Sequence, residues 1–287
     1  MRKKIFGSLD YHLSRSIRWL RMQNVPHRTM PFPFQSTAGY PIQATLSVPT
    51  VGNPPFPVVL LCPGIDDDGT VFTRLQTPIH PAELCNLGIA ALHFDPTGRG
   101  ASWGEEDFGG PEHQDVVAGL LKALESDPLI DPKRTAIIAI SLGISMAIGG
   151  AIQADNPPCF VLDWEGPSDR EIMTSGGTRM APAMGHKLSD DDYWFPREAA
   201  RHVASLPCGY IRLQAYRDHA QDLEHRHMWR MLRAAQGKVP WFQLNHHPVN
   251  HLPERPLFLP SNRFSANRSI LQLCKRYLLD SSPSTIR

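Results

Sequence analysis

Long apolar runs are missing from this sequence. No stretch is long and apolar enough to span a membrane as a helix. Charge of one sign is also missing. Lysine and arginine number 29 against 28 aspartates and glutamates, a net charge of +1 at pH 7, and no Lys/Arg-rich tract interrupts the body of the chain. Long-range attraction to nucleic acid is therefore not expected. Cysteine is sparse: Cys62, Cys85, Cys159, Cys208 and Cys274 are odd in number, scattered, mostly in apolar surroundings, and form no Cys-x-x-Cys pair. That pattern speaks against a disulfide framework and for reduced, buried thiols in a cytoplasmic protein. The basic start Met1-Arg2-Lys3-Lys4 is not followed by the apolar core of a signal peptide, because Asp10, His12 and Arg15 interrupt it. There is no internal repeat and no low-complexity tract.

What is present is a regular alternation of elements within 287 residues, a length that suits one large α/β domain with an added cap. The 27 prolines fall mostly between periodic segments and act as punctuation. Residues 43–48 alternate as a strand, while 57–62 and 89–94 are continuous apolar runs of the kind buried on both faces of a sheet. Helical spacing follows over 112–125, then strands at 135–140, 160–162 and 210–213, a helix over 222–236, a strand at 241–244 and a closing helix over 266–279. Strands alternating with helices predict a mostly parallel central sheet flanked by helices on both faces, with functional residues at the carboxyl ends of the strands.

Two regions stand apart. Residues 1–25 are expected to form an N-terminal extension: residues 2–21 hold six basic side chains and one acid, with Ile5, Leu9, Leu13 and Ile17 recurring every fourth position. Such an amphipathic helix lies on an anionic membrane surface or, the more usual outcome, packs on its own domain or on a second subunit of a homo-oligomer. Residues 164–205 break the strand–helix rhythm and are expected to be a cap inserted into a core of 26–163 and 206–287.

The chemistry centres on Ser141. The apolar run Thr135–Ile140 leads into Ser141-Leu142-Gly143 and then a small-residue helical segment. Strand, tight turn and helix with a hydroxyl on the turn expose a serine oxygen while backbone N–H groups face whatever it attacks. The plain alternative is a helix-capping serine. A serine hydroxyl is a poor nucleophile at neutral pH. It requires a base, an acid to orient the base, and N–H donors for the oxyanion.

Three further segments resemble the α/β-hydrolase superfamily, in particular its dienelactone hydrolase-like and serine aminopeptidase-like members. Cys62-Pro63-Gly64-Ile65 ends a buried strand as the superfamily's oxyanion loop begins. The resemblance implies the Ile65 and Leu142 N–H groups as the oxyanion hole. Asp95-Pro96-Thr97-Gly98-Arg99-Gly100-Ala101-Ser102 is similar to the family's Asp-x-x-Gly-x-Gly-x-Ser turn, whose role is structural. Ala215-Tyr216-Arg217-Asp218 resembles its Gly-x-x-Asp and implies Asp218 as the orienting acid, with Asp163 as a rival. Asn245-His246-His247-Pro248-Val249-Asn250-His251 follows the last strand, where the family carries its histidine; His251 fits best and His247 remains open. The elbow departs from Gly-x-Ser-x-Gly by having Ala139 at its first position.

These residues predict a Ser141–His251–Asp218 triad that cleaves small-molecule carboxylic esters through an acyl-enzyme, without cofactor and without a metal site. Met173, Met180, Met184, Trp194 and Phe195 would line an acyl or alcohol pocket, and Asp66-Asp67-Asp68 would form a solvated acidic lip. Ser145, four residues past Ser141, should face the helix interior. His219, His225 and His227 are expected to be solvated. A peptidase, amidase or thioesterase would share the same triad, and a non-catalytic binding protein could share the same fold.

Overall fold

A computed structural model describes Arg18, Met22 and residues 24–74, 76–174, 184–219, 224–249, 251–252, 254–255, 257–261 and 263–280. The sheet begins with β1 (His27–Pro31). A short ribbon of β2 (Phe34–Gln35) and β3 (Pro41–Ile42) follows, and then β4 (Ala44–Pro49) pairs antiparallel with β1. β5 (Phe56–Cys62), α1 (Pro81–Asn86), β6 (Ala90–Phe94), α2 (Pro111–Glu125), β7 (Ile130–Ile140), α3 (Gly143–Gln153) and β8 (Phe160–Trp164) then alternate. The short helices α4 (Arg170–Thr174), α5 (Asp191–Trp194) and α6 (Ala199–His202) separate β8 from β9 (Gly209–Leu213). The chain closes with α7 (Arg226–Ala235), β10 (Phe242–Leu244), β11 (His247–Pro248) and α8 (Arg263–Cys274), which runs on as a wider π-helical turn over Lys275–Asp280.

Among the described residues these strands make a nine-stranded sheet in the order β1-β4-β6-β5-β7-β8-β9-β10-β11. From β6 to β10 every pairing is parallel, and the sheet turns antiparallel only at its two edges. The expected strands and helices are present, β7 starting earlier than its apolar run suggests. β1 and β11 carry no alternating pattern and owe their place to pairing with β4 and β10. Most of residues 2–21 lies outside the described residues. Arg18 is buried, and its guanidinium bonds Glu83 of α1 and the Thr77 carbonyl. At that point the extension contacts the domain.

The apolar runs follow from burial on both faces. Val58, Leu60 and Cys62 of β5, with Ile137, Ala139 and Val161, pack under α2, α3 and α7. The intervening Val59 and Leu61, with Ala136, Ile138, Leu162 and Ile211, pack under α1 and α8. Each Val, Leu or Ile among them removed from water contributes roughly 1.5–3 kcal/mol. α3 lies very close to α2: a Cβ on Gly150 would meet Val117 Cγ1 at 2.4 Å and Val117 Cβ at 2.5 Å. Two effects oppose each other in Gly150→Ala. Helix propensity favours alanine by about 1 kcal/mol, whereas overpacking costs about 1–3 kcal/mol. Net destabilisation is expected, seen as a lower urea midpoint.

Candidate active site

Six described non-glycine residues have positive φ, and four of them sit just beyond the carboxyl ends of sheet strands: Asp66 after β5, Ser141 after β7, Glu165 after β8 and Asn245 after β10. Left-handed backbone is costly for such residues and gathers at functional sites. Ser141 has φ 52°, its N–H bonds the Trp164 carbonyl at 3.0 Å, and its own carbonyl accepts the Ile144 N–H at 3.2 Å in the first turn of α3. Gly143 permits this turn, since a Cβ there would lie 2.5 Å from the Pro63 carbonyl oxygen and 2.7 Å from that of Cys62. Ala139 at the start of the elbow is fully buried and accommodated. Ser145 is buried, and its hydroxyl bonds the Arg197 carbonyl at 2.7 Å.

The Pro63–Gly69 loop lies against this elbow: a Cβ on Gly64 would be 3.4 Å from Ser141 Cβ. Arg99, only 7% exposed, grips the loop. One guanidinium nitrogen bonds the Gly64 and Asp67 carbonyls, and the others pair with Glu106. The carbonyl of Gly64 and the N–H of Ile65 belong to one planar trans peptide and so point in opposite directions. Holding the first therefore aims the second. Neither the Ile65 nor the Leu142 N–H hydrogen-bonds another described residue. Asp95 ties the far end of the loop, accepting from the N–H of Gly69 and of Ala101 at 2.8 Å each, and Ser102 donates to the Asp95 carbonyl. In the expected acidic lip, Asp68 caps the following turn through Thr70 N–H and Asp67 pairs with Arg74.

The carboxylates behind Ser141 have distinct partners. Asp163 is fully buried, bonded by Arg212 and the Tyr210 hydroxyl at 2.6 Å each and by the Gly166 N–H at 2.8 Å. Both of its oxygens are thus engaged, and no described histidine bonds either one. Asp218 accepts from Gln214 at 2.8 Å and from His227 Nε2 at 3.0 Å. Burial by itself would raise its carboxyl, but the His227 bond, the nearby His219 and His227 and the Gln214 bond hold it well below the usual carboxylate range. Burial keeps His227 neutral, only partly offset by Asp218, and its Nδ1 has no described partner. Glu165, also buried, takes the N–H of Ala215 at 2.9 Å and both the backbone N–H and ring Nδ1 of His219, at 3.2 and 2.8 Å. The ring of His219 stacks on Trp164 with centroids 4.9 Å apart.

His225 and His227 thus differ from the solvated surface expected of them, whereas His219 is exposed as expected. His225 and His227 are buried and His219 is 28% exposed. The spacing held a signal, for His227 shares one helical stripe with Met228, Met231, Leu232 and Ala235. Glu165 gave none, being a lone acid after a strand. Among the described residues no hydrogen bond joins His251 to Asp218 or Ser141; its side chain is exposed, as is that of His247 on β11. One ligand atom each from Glu165, Asp218 and His219 lies within 4.8 Å of the others, so these three are the described residues able to share a metal ion. The thiols of Cys85, Cys208 and Cys274 are pushed up by burial to about 12, and all five cysteines are free.

Over the elbow, Met173, Met184 and Trp194 cluster with the Leu142 side chain, and Ile65 and Phe108 pack against them. Phe195 faces outward, with the guanidinium groups of Arg170 and Arg201 over its ring at 5.1 and 4.0 Å. Met180 lies outside the described residues. Glu198 anchors this region through Arg170 and Arg201, and Arg197 pairs with Asp107.

No protein-family model matches the chain. Esterase FrsA of Yersinia enterocolitica is 30% identical over 128 residues, 44% of this chain and 29% of that protein; the chain thus matches less than a third of its curated relative's length. Esterase Pf2001 of Pyrococcus furiosus superposes with a TM-score of 0.63 at 17% identity, over 88% of this chain and 93% of its own. Acylaminoacyl peptidase of Pyrococcus horikoshii superposes with a TM-score of 0.65 at 14% identity, over 93% of this chain and 45% of its own. The fold is that of the α/β-hydrolases.

Two substitutions test this architecture. Arg212→Met leaves the Asp163 charge buried without its cation and should cost about 3–5 kcal/mol in chemical denaturation. Arg99→Met frees the Gly64 carbonyl. Activity should then fall roughly 10- to 100-fold through kcat, a smaller loss than that for deleting an oxyanion donor outright, with circular dichroism unchanged.

Proposed function

We propose that this chain, an α/β-hydrolase in fold, is a serine hydrolase that cleaves carboxylic esters through an acyl-enzyme. The observation that carries the reading is Ser141 on a left-handed turn, beside two backbone N–H groups, Ile65 and Leu142, with no other described partner. Ser141 Oγ attacks the acyl carbon as an imidazole from the β9 or β10 loops takes its proton. The oxyanion gathers on the N–H groups of Ile65 and Leu142, where preorganised donors are worth roughly 3–4 kcal/mol each. Collapse expels the alkoxide, protonated by the same imidazole, and water then releases the acid. Residues 164–205 act as the cap, and Met173, Met184 and Trp194 form the apolar wall nearest the oxyanion loop. That wall suits an uncharged acyl or alcohol group. Free, buried thiols suit a cytoplasmic setting.

An amide or peptide bond is the second reading, favoured by the peptidase among the structural neighbours. Ester and amide share the nucleophile and differ in leaving group, so paired p-nitrophenyl ester and p-nitroanilide substrates separate them. A fluorophosphonate probe should label the wild type and not Ser141→Ala, and ester turnover should fall at least about a thousandfold in that variant. A wild type that neither takes the probe nor turns over ester or anilide would end the proposal.

A further inference from the structure

We infer that His219, oriented by Glu165, is the general base that serves Ser141, in place of the histidines after β10; this rests on the serine hydrolase reading above. A base for Ser141 has three requirements: a place at the carboxyl edge beside β7 and β8, a carboxylate fixing one ring nitrogen, and a second nitrogen left free. Of the described histidines at that edge, His219 meets all three. Its Nδ1 lies 2.8 Å from Glu165 Oε2 and 3.5 Å from Asp218 Oδ1, while its Nε2 has no described partner. Its ring lies flat on Trp164, the residue whose carbonyl accepts the Ser141 N–H at 3.0 Å. The alternatives are otherwise engaged or have no described carboxylate partner. His227 is sealed in the core against Asp218, His225 bonds the Tyr216 carbonyl, His246 bonds Ser269, and His247 and His251 have no described carboxylate within 4.0 Å.

Glu165 is built for this task. It follows β8 with φ 54°, is buried, and has one oxygen fixed by the Ala215 N–H, so the other is aimed at His219 through two bonds from that residue. Asp218, which the strand-end motif offered as the acid, spends Oδ2 on His227 and Gln214. In the reaction, the Ser141 proton passes to His219 Nε2 as Oγ bonds the acyl carbon and the carbonyl electron pair moves to oxygen. When the C–O bond to the leaving group breaks, that proton goes to the departing alkoxide. Water then repeats the cycle, and Glu165 retains its charge and the His219 tautomer throughout.

The experiment compares Ser141→Ala, His219→Ala, His219→Gln, Glu165→Gln and His251→Ala in the full chain, reading p-nitrophenyl ester kinetics, fluorophosphonate labelling rate and thermal melting. Both His219 variants should lose roughly a hundredfold or more in kcat and in labelling rate, with KM within threefold and melting near wild type. Glu165→Gln should lose roughly tenfold or more in kcat at unchanged KM. His251→Ala should stay within threefold. A folded His219→Gln within threefold of wild type overturns the assignment, as does loss of labelling confined to His251→Ala. Undiminished labelling of Ser141→Ala would instead overturn the serine hydrolase reading.

Discussion

The left-handed backbone at Ser141 depends on how closely the start of α3 approaches the end of β5. Only a residue without a Cβ fits at Gly143, against the carbonyls of Cys62 and Pro63, and that contact sets the Pro63–Gly69 loop beside the serine. The candidate site is arranged around it. The same strand end that presses on Gly143 supplies Gly64 and Ile65, while the first residue past the serine supplies Leu142. Side-chain packing of Leu142 and Ile65 with Met173, Met184 and Trp194 then joins the residue after Ser141, the loop after β5 and the segment between β8 and β9 in one apolar cluster.

Arg99 and Arg212 show how buried cations set geometry in this molecule. Desolvating a guanidinium is expensive and is tolerated only when its donors are satisfied. Arg99 meets this condition with two loop carbonyls and Glu106, which fixes a peptide plane. Arg212 does so with Asp163, the Gly166 carbonyl and Gln214. Burial alone would lower its pKa, but Asp163, Tyr210 and Asp218 keep it charged. Gln214 passes this ordering on to Asp218, so the acidic residues after β8 and β9 share one cation-centred framework.

Much of the fold was legible from residue order. Runs such as Val58–Cys62, apolar at every position, and Ala90–Phe94, apolar at all but His93, arise because helices cover both faces of the sheet, and that reading survives without knowing which strands are neighbours. Ser141 was legible for a related reason: a strand, a small-residue turn and a helix are local features. β1 and β11 were not, since an edge strand half exposed to solvent needs no alternation and exists through its pairing.

The histidines mark the boundary most clearly. By itself the sequence determined the strands, the elbow serine and the order in which candidate acids and bases follow, because each is encoded within a few neighbouring residues. Which carboxylate meets which imidazole was decided only by tertiary structure. Glu165 and His219 are 54 positions apart and meet because β8 and β9 are parallel neighbours whose carboxyl ends coincide. Nothing local to either residue encodes that meeting.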